Sequence, residues 1–328
     1  MKLAEIGEFA LIAAIKEMAA KGEGAIKGIG DDAAVLRPSA GKVLLVTTDL
    51  LLEGVHFNLE FIDPYRLGRK ALAVNLSDIA ACGGQPRAML ASLAIAPDTE
   101  LTFVQALYQG MIEQTQEFEV GLVGGDTSRG EKLMISIVLI GEAEEDKIVY
   151  RSGARKGDLI FVTGTLGDAA LGLQQLKQGK KDGGLVHKHL APVPRVREGR
   201  EIALRGLATA MIDISDGLVA DLGHIAEQSN VGAEVRLSRL PLSKEYRQEV
   251  KGYSPDAYQL ALAGGEDYEL LFTAVPAKEK AVAKLAKELG TPFTMIGEIT
   301  AASQGVSVYG ENGKEYPIKQ KGHDHFKS

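Results

Sequence analysis

The stretch 63–84 reads DPYRLGRKALAVNLSDIAACGG, and its reading decides the architecture of the first half of the chain. Asp63 can act as N-cap and Pro64 suits the first helical position, so a helix starts here. Leu67, Ala71 and Val74 recur at helical spacing and define its apolar stripe. Gly83 and Gly84 end it. β-rich runs lie on both sides: 43–48, which delivers Asp49 at its end before the turn Glu53-Gly54, and 87–96, apolar enough for a largely buried strand. The next position on the stripe, four residues after Val74, is Asp78, which aims an acid at the interior. A buried carboxylate without partners is costly, so Asp78 should meet a cation or several donors.

The same alternation extends outward. Residues 5–20 read as a helix through Ile6, Phe9 and Ala13, with Gly22 just past its end, and a second long helix covers 99–117. Strands at 120–123 and 133–140 follow, with Gly124-Gly125-Asp126 as the turn between them. The acidic stretch 142–146 lacks periodicity and 153–157 restarts the chain on a turn, which sets the expected domains at 1–143 and 144–328. In the second half, strands at 159–163 and 210–214 alternate with helices at 167–177 and 217–228. Strands at 269–274 and 293–298 flank a lysine-rich helix at 277–289. The fold class expected is α/β (α+β), with two mixed α/β domains.

At 328 residues and 45% hydrophobic, the chain can supply a core to each domain. Its formal charge of −7 leaves no basic stripe for a nucleic-acid backbone, so an anionic substrate would need metals. One cysteine, Cys82, excludes an intramolecular disulfide and a cysteine-based zinc site, and fits a reducing cytoplasm. Glu5 and Glu8 interrupt the N-terminal apolar pattern, unlike a signal peptide. No apolar run approaches the length of a membrane span.

Six short segments place acids beside glycine or hydroxyl residues: GIGDD at 28–32, Thr47-Thr48-Asp49, Asn75 to Asp78, Gly124 to Thr127, Asp213-Ile-Ser215-Asp216-Gly217 and Gly264-Gly-Glu266-Asp267. Carboxylates and hydroxyls are hard oxygen ligands suited to Mg²⁺, and glycine admits phosphate close to backbone amides. Neither GxxxxGK[ST] nor GxGxxG occurs, so ATP would bind elsewhere, with Gly124-Gly125-Asp126 the best candidate. Each segment alone has an ordinary reading. Asp126 suits a hairpin turn, Ser215 or Asp216 a helix N-cap, and Asp31-Asp32 a solvated loop pair. His56 alone reads as a satisfied polar residue, and His187 and His189 as a surface pair. His323 and His325 are too weakly spaced for a zinc hook.

Taken together, GIGDDAAV, TTDLLLEGVHF, KALAVNLSDIAACGG, GGDTSRG, RSGARKGDLIFVTGTLGDAALGL, IDISDGLVADLGHIA, LAGGEDYELLFT and KGHDHF resemble the thiamine-monophosphate kinase family, in order over almost the whole chain. The shorter GDD and GGD acids are shared with related ATP-dependent enzymes such as aminoimidazole ribonucleotide synthetase. The resemblance implies two domains of that synthetase-like type, an N-terminal one for ATP, metal and dimerisation and a C-terminal one completing the nucleotide and substrate site. It implies transfer of the ATP γ-phosphate to thiamine monophosphate, several Mg²⁺ ions per site, and a homodimer. By position, Asp32, Thr47, Thr48, Asp49, Asp78, Asp126, Asp213 and Asp216 match metal ligands. Tyr108, Gly125, Asp126, Arg151 and Ser215 match ATP contacts, with Asp126 and Arg151 catalytic. His56 and Glu266 match acceptor contacts, as does His323, where the family usually carries an aromatic residue. Three alternatives remain: a sibling synthetase acting on a carbonyl oxygen, a magnesium-dependent phosphohydrolase, and a metal-binding module without turnover.

Overall fold

A computed structural model of the chain describes residues 2–19, 24–29, 33–318 and 322. Asp31, Asp32, His323 and His325 lie outside the described residues. Two compact units are present, Met1–Ile79 with Gly84–Asp146, and Ala80–Gly83 with Lys147–Ser328.

The first unit runs α1 (Leu3–Ile6), α2 (Glu8–Met18), β1 (Ala25–Lys27), β2 (Val35–Leu36), β3 (Lys42–Leu52), α3 (Pro64–Ala81), β4 (Gln85–Ile95), α4 (Leu101–Glu117), β5 (Gly121–Arg129) and β6 (Met134–Glu144). Strands β1 and β2 pair with each other, and the other four form a sheet in the order β3-β6-β4-β5. The helix expected over 5–20 is two helices, because Gly7 breaks it with φ 75° and ψ 170°, a conformation that glycine tolerates.

Two expectations in this unit are corrected. Asp49 is not at a strand end: β3 continues to Leu52, since Leu50, Leu51 and Leu52 pair with Ser136, Ile135 and Met134 of β6. Gly124-Gly125-Asp126 is not a turn either. It lies inside β5, an edge strand that runs parallel to β4 and does not pair with β6. A Cβ at Gly125 would stand 1.9 Å from the Ala91 carbonyl oxygen, so the glycine is needed for the close passage of β5 along β4.

Strand alternation sorts the sheet into two faces. The row Asp49, Ile137, Ala91 and Gly125 lies on one face, and the adjacent row Leu50, Ser136, Ser92 and Asp126 on the other. Helix α3 covers the first face through Asn75 and Asp78, and Leu67, Ala71, Leu72 and Leu76 on this helix are fully buried. The second face is open: Leu44, Val46 and Leu50 are 49%, 65% and 48% exposed. Helices α3 and α4 meet backbone to backbone. A Cβ at Gly68 would lie 1.9 Å from the Leu107 carbonyl oxygen, and one at Gly110 would lie 1.9 Å from that of Tyr65.

The second unit runs β7 (Leu159–Thr163), α5 (Asp168–Lys177), α6 (Gly184–Leu190), α7 (Val196–Leu204), β8 (Ala210–Asp213), α8 (Leu218–Ser229), β9 (Gly232–Arg236), α9 (Lys244–Glu249), α10 (Gln259–Ala263), β10 (Leu270–Ala274), α11 (Glu279–Leu289), β11 (Phe293–Thr300) and β12 (Val306–Tyr309). Its sheet has the order β12-β9-β11-β7-β10-β8, antiparallel except where β12 meets β9. Ile160, Val162, Leu218, Leu222, Leu271 and Ile296 form part of a fully buried core against it. Helices α6, α9 and α10, of seven, six and five residues, carry too few residues for a period to show in the sequence, and α7, β9 and β12 are further elements beyond those expected. Both units are mixed α/β structures.

Gly68→Ala should destabilise the first unit by about 1–3 kcal/mol, the scale of overpacking a site that cannot relax. Urea unfolding checks this. An unchanged midpoint would show that the two helices can part without loss.

Candidate active site

In the first unit, Thr47 and Asp49 project from the same face of β3 towards α3. Thr47 Oγ1 donates to Asp78 Oδ2 at 2.5 Å, so the acid on the apolar stripe has found one of the donors it needs. Asn75 ties helix to strand: its Oδ1 accepts from the Asp49 N–H at 3.1 Å and its Nδ2 donates to the Ala71 carbonyl at 3.0 Å. Asp49 has an edge-strand amide that β6 leaves available, and Asn75 takes it. Burial, and then the charge of Asp78, push the Asp49 carboxyl up to about 6. Two carboxylates and a hydroxyl gathered on one partly buried face form a donor set for a hard divalent cation.

Other residues singled out in this unit fall elsewhere. The Thr48 side chain is exposed on the opposite face, away from Thr47 and Asp49. Asp126 is exposed on that open face, three strand spacings or about 14 Å from the edge that carries Leu50. Within one unit the sheet therefore does not bring Asp126 to Asp49 and Asp78. Tyr108 is 3% exposed on the inner side of α4, and burial pushes its phenol up. His56 sits in the turn after β3, where its Nδ1 accepts from the Leu52 N–H at 3.0 Å. That bond leaves the proton on Nε2, which can donate to a ligand.

The second unit builds its own acidic cluster where β8 hands over to α8. Asp213 ends the strand and is 3% exposed, Ser215 and Asp216 are half-buried, and Leu218 starts the helix. Asp221, not singled out from the sequence, organises this loop. Its Oδ2 accepts from the N–H groups of Ser215, Asp216 and Gly217 at 3.1, 3.2 and 3.0 Å. Burial, and then the charges of Asp213 and Asp216, still push its carboxyl up to about 8. Asp216, Asp221 and His224 each place a ligand atom within 4.8 Å of the others. An acid in the first turn of a helix, one turn after a DxSDG junction, is the signal that could have marked Asp221.

Glu266 joins the same neighbourhood, since its N–H donates to the Ser215 carbonyl at 2.8 Å. Arg151 is exposed, two residues before Gly153, whose N–H donates to Ser229 Oγ at the end of α8. The reading of His187 and His189 as a surface pair is corrected. His187 is exposed beside Asp182 at 3.0 Å, but His189 is 6% exposed, because the two-residue step around α6 turns it inward.

This fold and these acids define a class. The family models for the AIR synthase related protein match its N-terminal domain at residues 30–143 and its C-terminal domain at residues 155–310. The thiamine-monophosphate kinase of Aquifex aeolicus is 40% identical over 331 residues, spanning 99% of this chain and 100% of that protein. The chain belongs to the thiamine-monophosphate kinase family. The crystal structure of thiamine-monophosphate kinase from Stenotrophomonas maltophilia is 40% identical, with a TM-score of 0.84 over 95% of this chain and 98% of that one. A structure described as AaThiL complexed with AMPPCP and TMP is 38% identical, with a TM-score of 0.78 over 99% of both chains.

Asp49 titrates near 6 in the folded chain against an ordinary 3.8, so the native state holds an extra proton between about pH 4 and pH 6. The cation-free chain should therefore lose stability as pH rises through that window. A divalent cation competes with the same proton. Calorimetric Mg²⁺ titration should show affinity about tenfold weaker at about pH 5 than at about pH 7.5, because only about a tenth of Asp49 is ionised at the lower value. Equal affinities would remove Asp49 from the ligand set.

Proposed function

We propose that the chain is a magnesium-dependent thiamine-phosphate kinase, transferring the γ-phosphate of ATP to the phosphate of thiamine monophosphate and giving thiamine diphosphate and ADP. One observation carries this reading: a relative that matches 99% of the chain is described in complex with AMPPCP, whose chemistry is that of an ATP analogue, and with TMP. The acceptor needs little activation. A phosphate monoester has a second pKa near 6, so at about pH 7 it is largely a dianion and can attack without a general base. Its oxygen bonds to the γ-phosphorus in line as the bond to the β,γ-bridging oxygen breaks, and that electron pair leaves with ADP.

Charge is the obstacle, and bound Mg²⁺ supplies the neutralisation that a net-acidic chain lacks. Thr47, Asp49 and Asp78 are the proposed ligands on the covered face of the first unit, Thr48 and Asp126 those on its open face, with Asp32 a further one, and Asp213 and Asp216 those of the second unit. Gly125, Arg151 and Ser215 contact ATP, with Tyr108 contributing from its buried position. Arg151 offsets charge as the transferring group separates. His56, Glu266 and His323 contact the acceptor, His56 through its Nε2 proton. Residues 1–143 are assigned the ATP, metal and dimer contacts, and residues 144–328 the remaining nucleotide and substrate contacts.

The open face of the four-stranded sheet supports a homodimer. Leu44, Val46 and Leu50 form an exposed apolar row, continued by half-buried Val138 and Ile140, and such a patch suits an isologous contact with a second copy. Sedimentation at micromolar concentration should give a dimer, and a monomer there would withdraw this assignment. Among the described residues no helix is long and apolar enough to cross a membrane. The single cysteine supports a cytoplasmic location, which cell fractionation checks.

ATP consumption should depend on added thiamine monophosphate, and γ-labelled ATP alone should leave the protein unlabelled. Phosphate release without acceptor would favour a phosphohydrolase, and a competent aspartyl-phosphate would replace in-line transfer with a ping-pong scheme. In the same assay Asp78→Asn and Asp126→Asn should each lower turnover by at least about 100-fold with the fold retained, the scale of losing one key electrostatic group. Near-normal turnover in either variant would make that acid structural.

A further inference from the structure

We infer that His189 is a positioning residue for the acceptor, acting through Glu266; this rests on the reading of Glu266 as an acceptor contact. His189 is buried near the end of α6, and its Nδ1 lies 3.0 Å from Glu266 Oε2. At that distance the ring is in direct contact with the carboxylate and limits where it can swing. A glutamate side chain has three rotatable bonds, and fixing it on ligand binding would cost affinity. An imidazole held inside the second unit orders the carboxylate beforehand.

The backbone around Glu266 is built for the same purpose. Glu266 and Tyr268 both adopt positive φ, 67° and 49°, which non-glycine residues keep only where the surroundings over-determine them. Those surroundings are present. The Glu266 and Tyr268 N–H groups donate to the carbonyls of Ser215 and Ile214 at 2.8 and 2.9 Å. Asp267 Oδ2 accepts from the Gly167 N–H at 2.8 Å, and Glu269 accepts from Arg195 Nε and Nη2, each at 2.6 Å. Four consecutive residues are thus pinned, and within that frame His189 faces the Glu266 carboxylate from α6. The strain aims Glu266, and His189 holds it in that aim. A carboxylate fixed in this way suits the positively charged thiazolium or the amino group of the acceptor more than it suits ATP.

Steady-state kinetics with both substrates varied tests this. His189→Leu should raise KM for thiamine monophosphate about tenfold, on the scale of coupling between side chains in contact, while KM for ATP stays where it was. His189→Asn, whose amide nitrogen occupies the place of Nδ1, should restore most of the loss, and His189→Gln, whose donor sits nearer the place of Nε2, should not. Should His189→Leu fail to fold, the Asn and Gln variants give the same contrast. In a Glu266→Gln background, His189→Leu should add nothing further. Full additivity in the double variant, or an equal rise in KM for both substrates, would reduce His189 to a structural role. Normal acceptor KM in Glu266→Gln itself would instead remove Glu266 from the acceptor site, and the inference with it.

Discussion

Carboxylates held close together on partly buried faces are the constraint on which both units depend. Two unit charges about 4 Å apart repel by roughly 4 kcal/mol at an effective dielectric near 20. The chain offsets part of this with donors, the Thr47 hydroxyl on Asp78 and three backbone N–H groups on Asp221. The offset is incomplete: Asp49 and Asp221 remain shifted upward, towards holding protons that ordinary aspartates release. What stays unbalanced is a demand for positive charge, and it is local. A chain of formal charge −7 has no general attraction for phosphates, so any cation these clusters attract is drawn by local charge.

The part of the site that was legible in the sequence broke a local rule. Asp78 interrupts an apolar helical stripe, and its neighbours four and seven residues earlier suffice to show it. Asp213, Ser215 and Asp216 crowd a strand-to-helix junction that needs only one cap. In both places the anomaly itself lies within a few residues, and periodicity can reach that far; the partner of Asp78, Thr47, lies 31 residues away.

The parts that were not legible depend on partners distant in sequence. Gly124-Gly125-Asp126 has the composition of a turn, and only the parallel pairing of β5 with β4 makes it a strand. Parallel neighbours are joined by long crossovers, so no hairpin signal exists to reveal them. Asp49 looked like a strand tip because the apolar run was expected to close at Thr48, whereas register with β6 carries the strand four residues further, to Leu52. His189 looked superficial beside His187, because a seven-residue helix gives too little pattern to tell an inward histidine from an outward one.

The glycines and the strained residues show how such a site tolerates its own cost. Gly125 is fixed by the Ala91 carbonyl before any ligand arrives, so the backbone of the GGD segment owes its position to sheet packing. Glu266 and Tyr268 hold positive φ because the β8–α8 loop and the Arg195 contact leave the chain no other course. In each case tertiary packing pays for a local conformation that the residues would not choose alone. Asp49 and Asp126 are then carried by strands whose pairing does not depend on their side chains, whereas Asp221 itself holds the loop it serves. Neutralising Asp49 or Asp126 should therefore change local charge far more than shape, whereas at Asp221 the electrostatic and structural roles are joined.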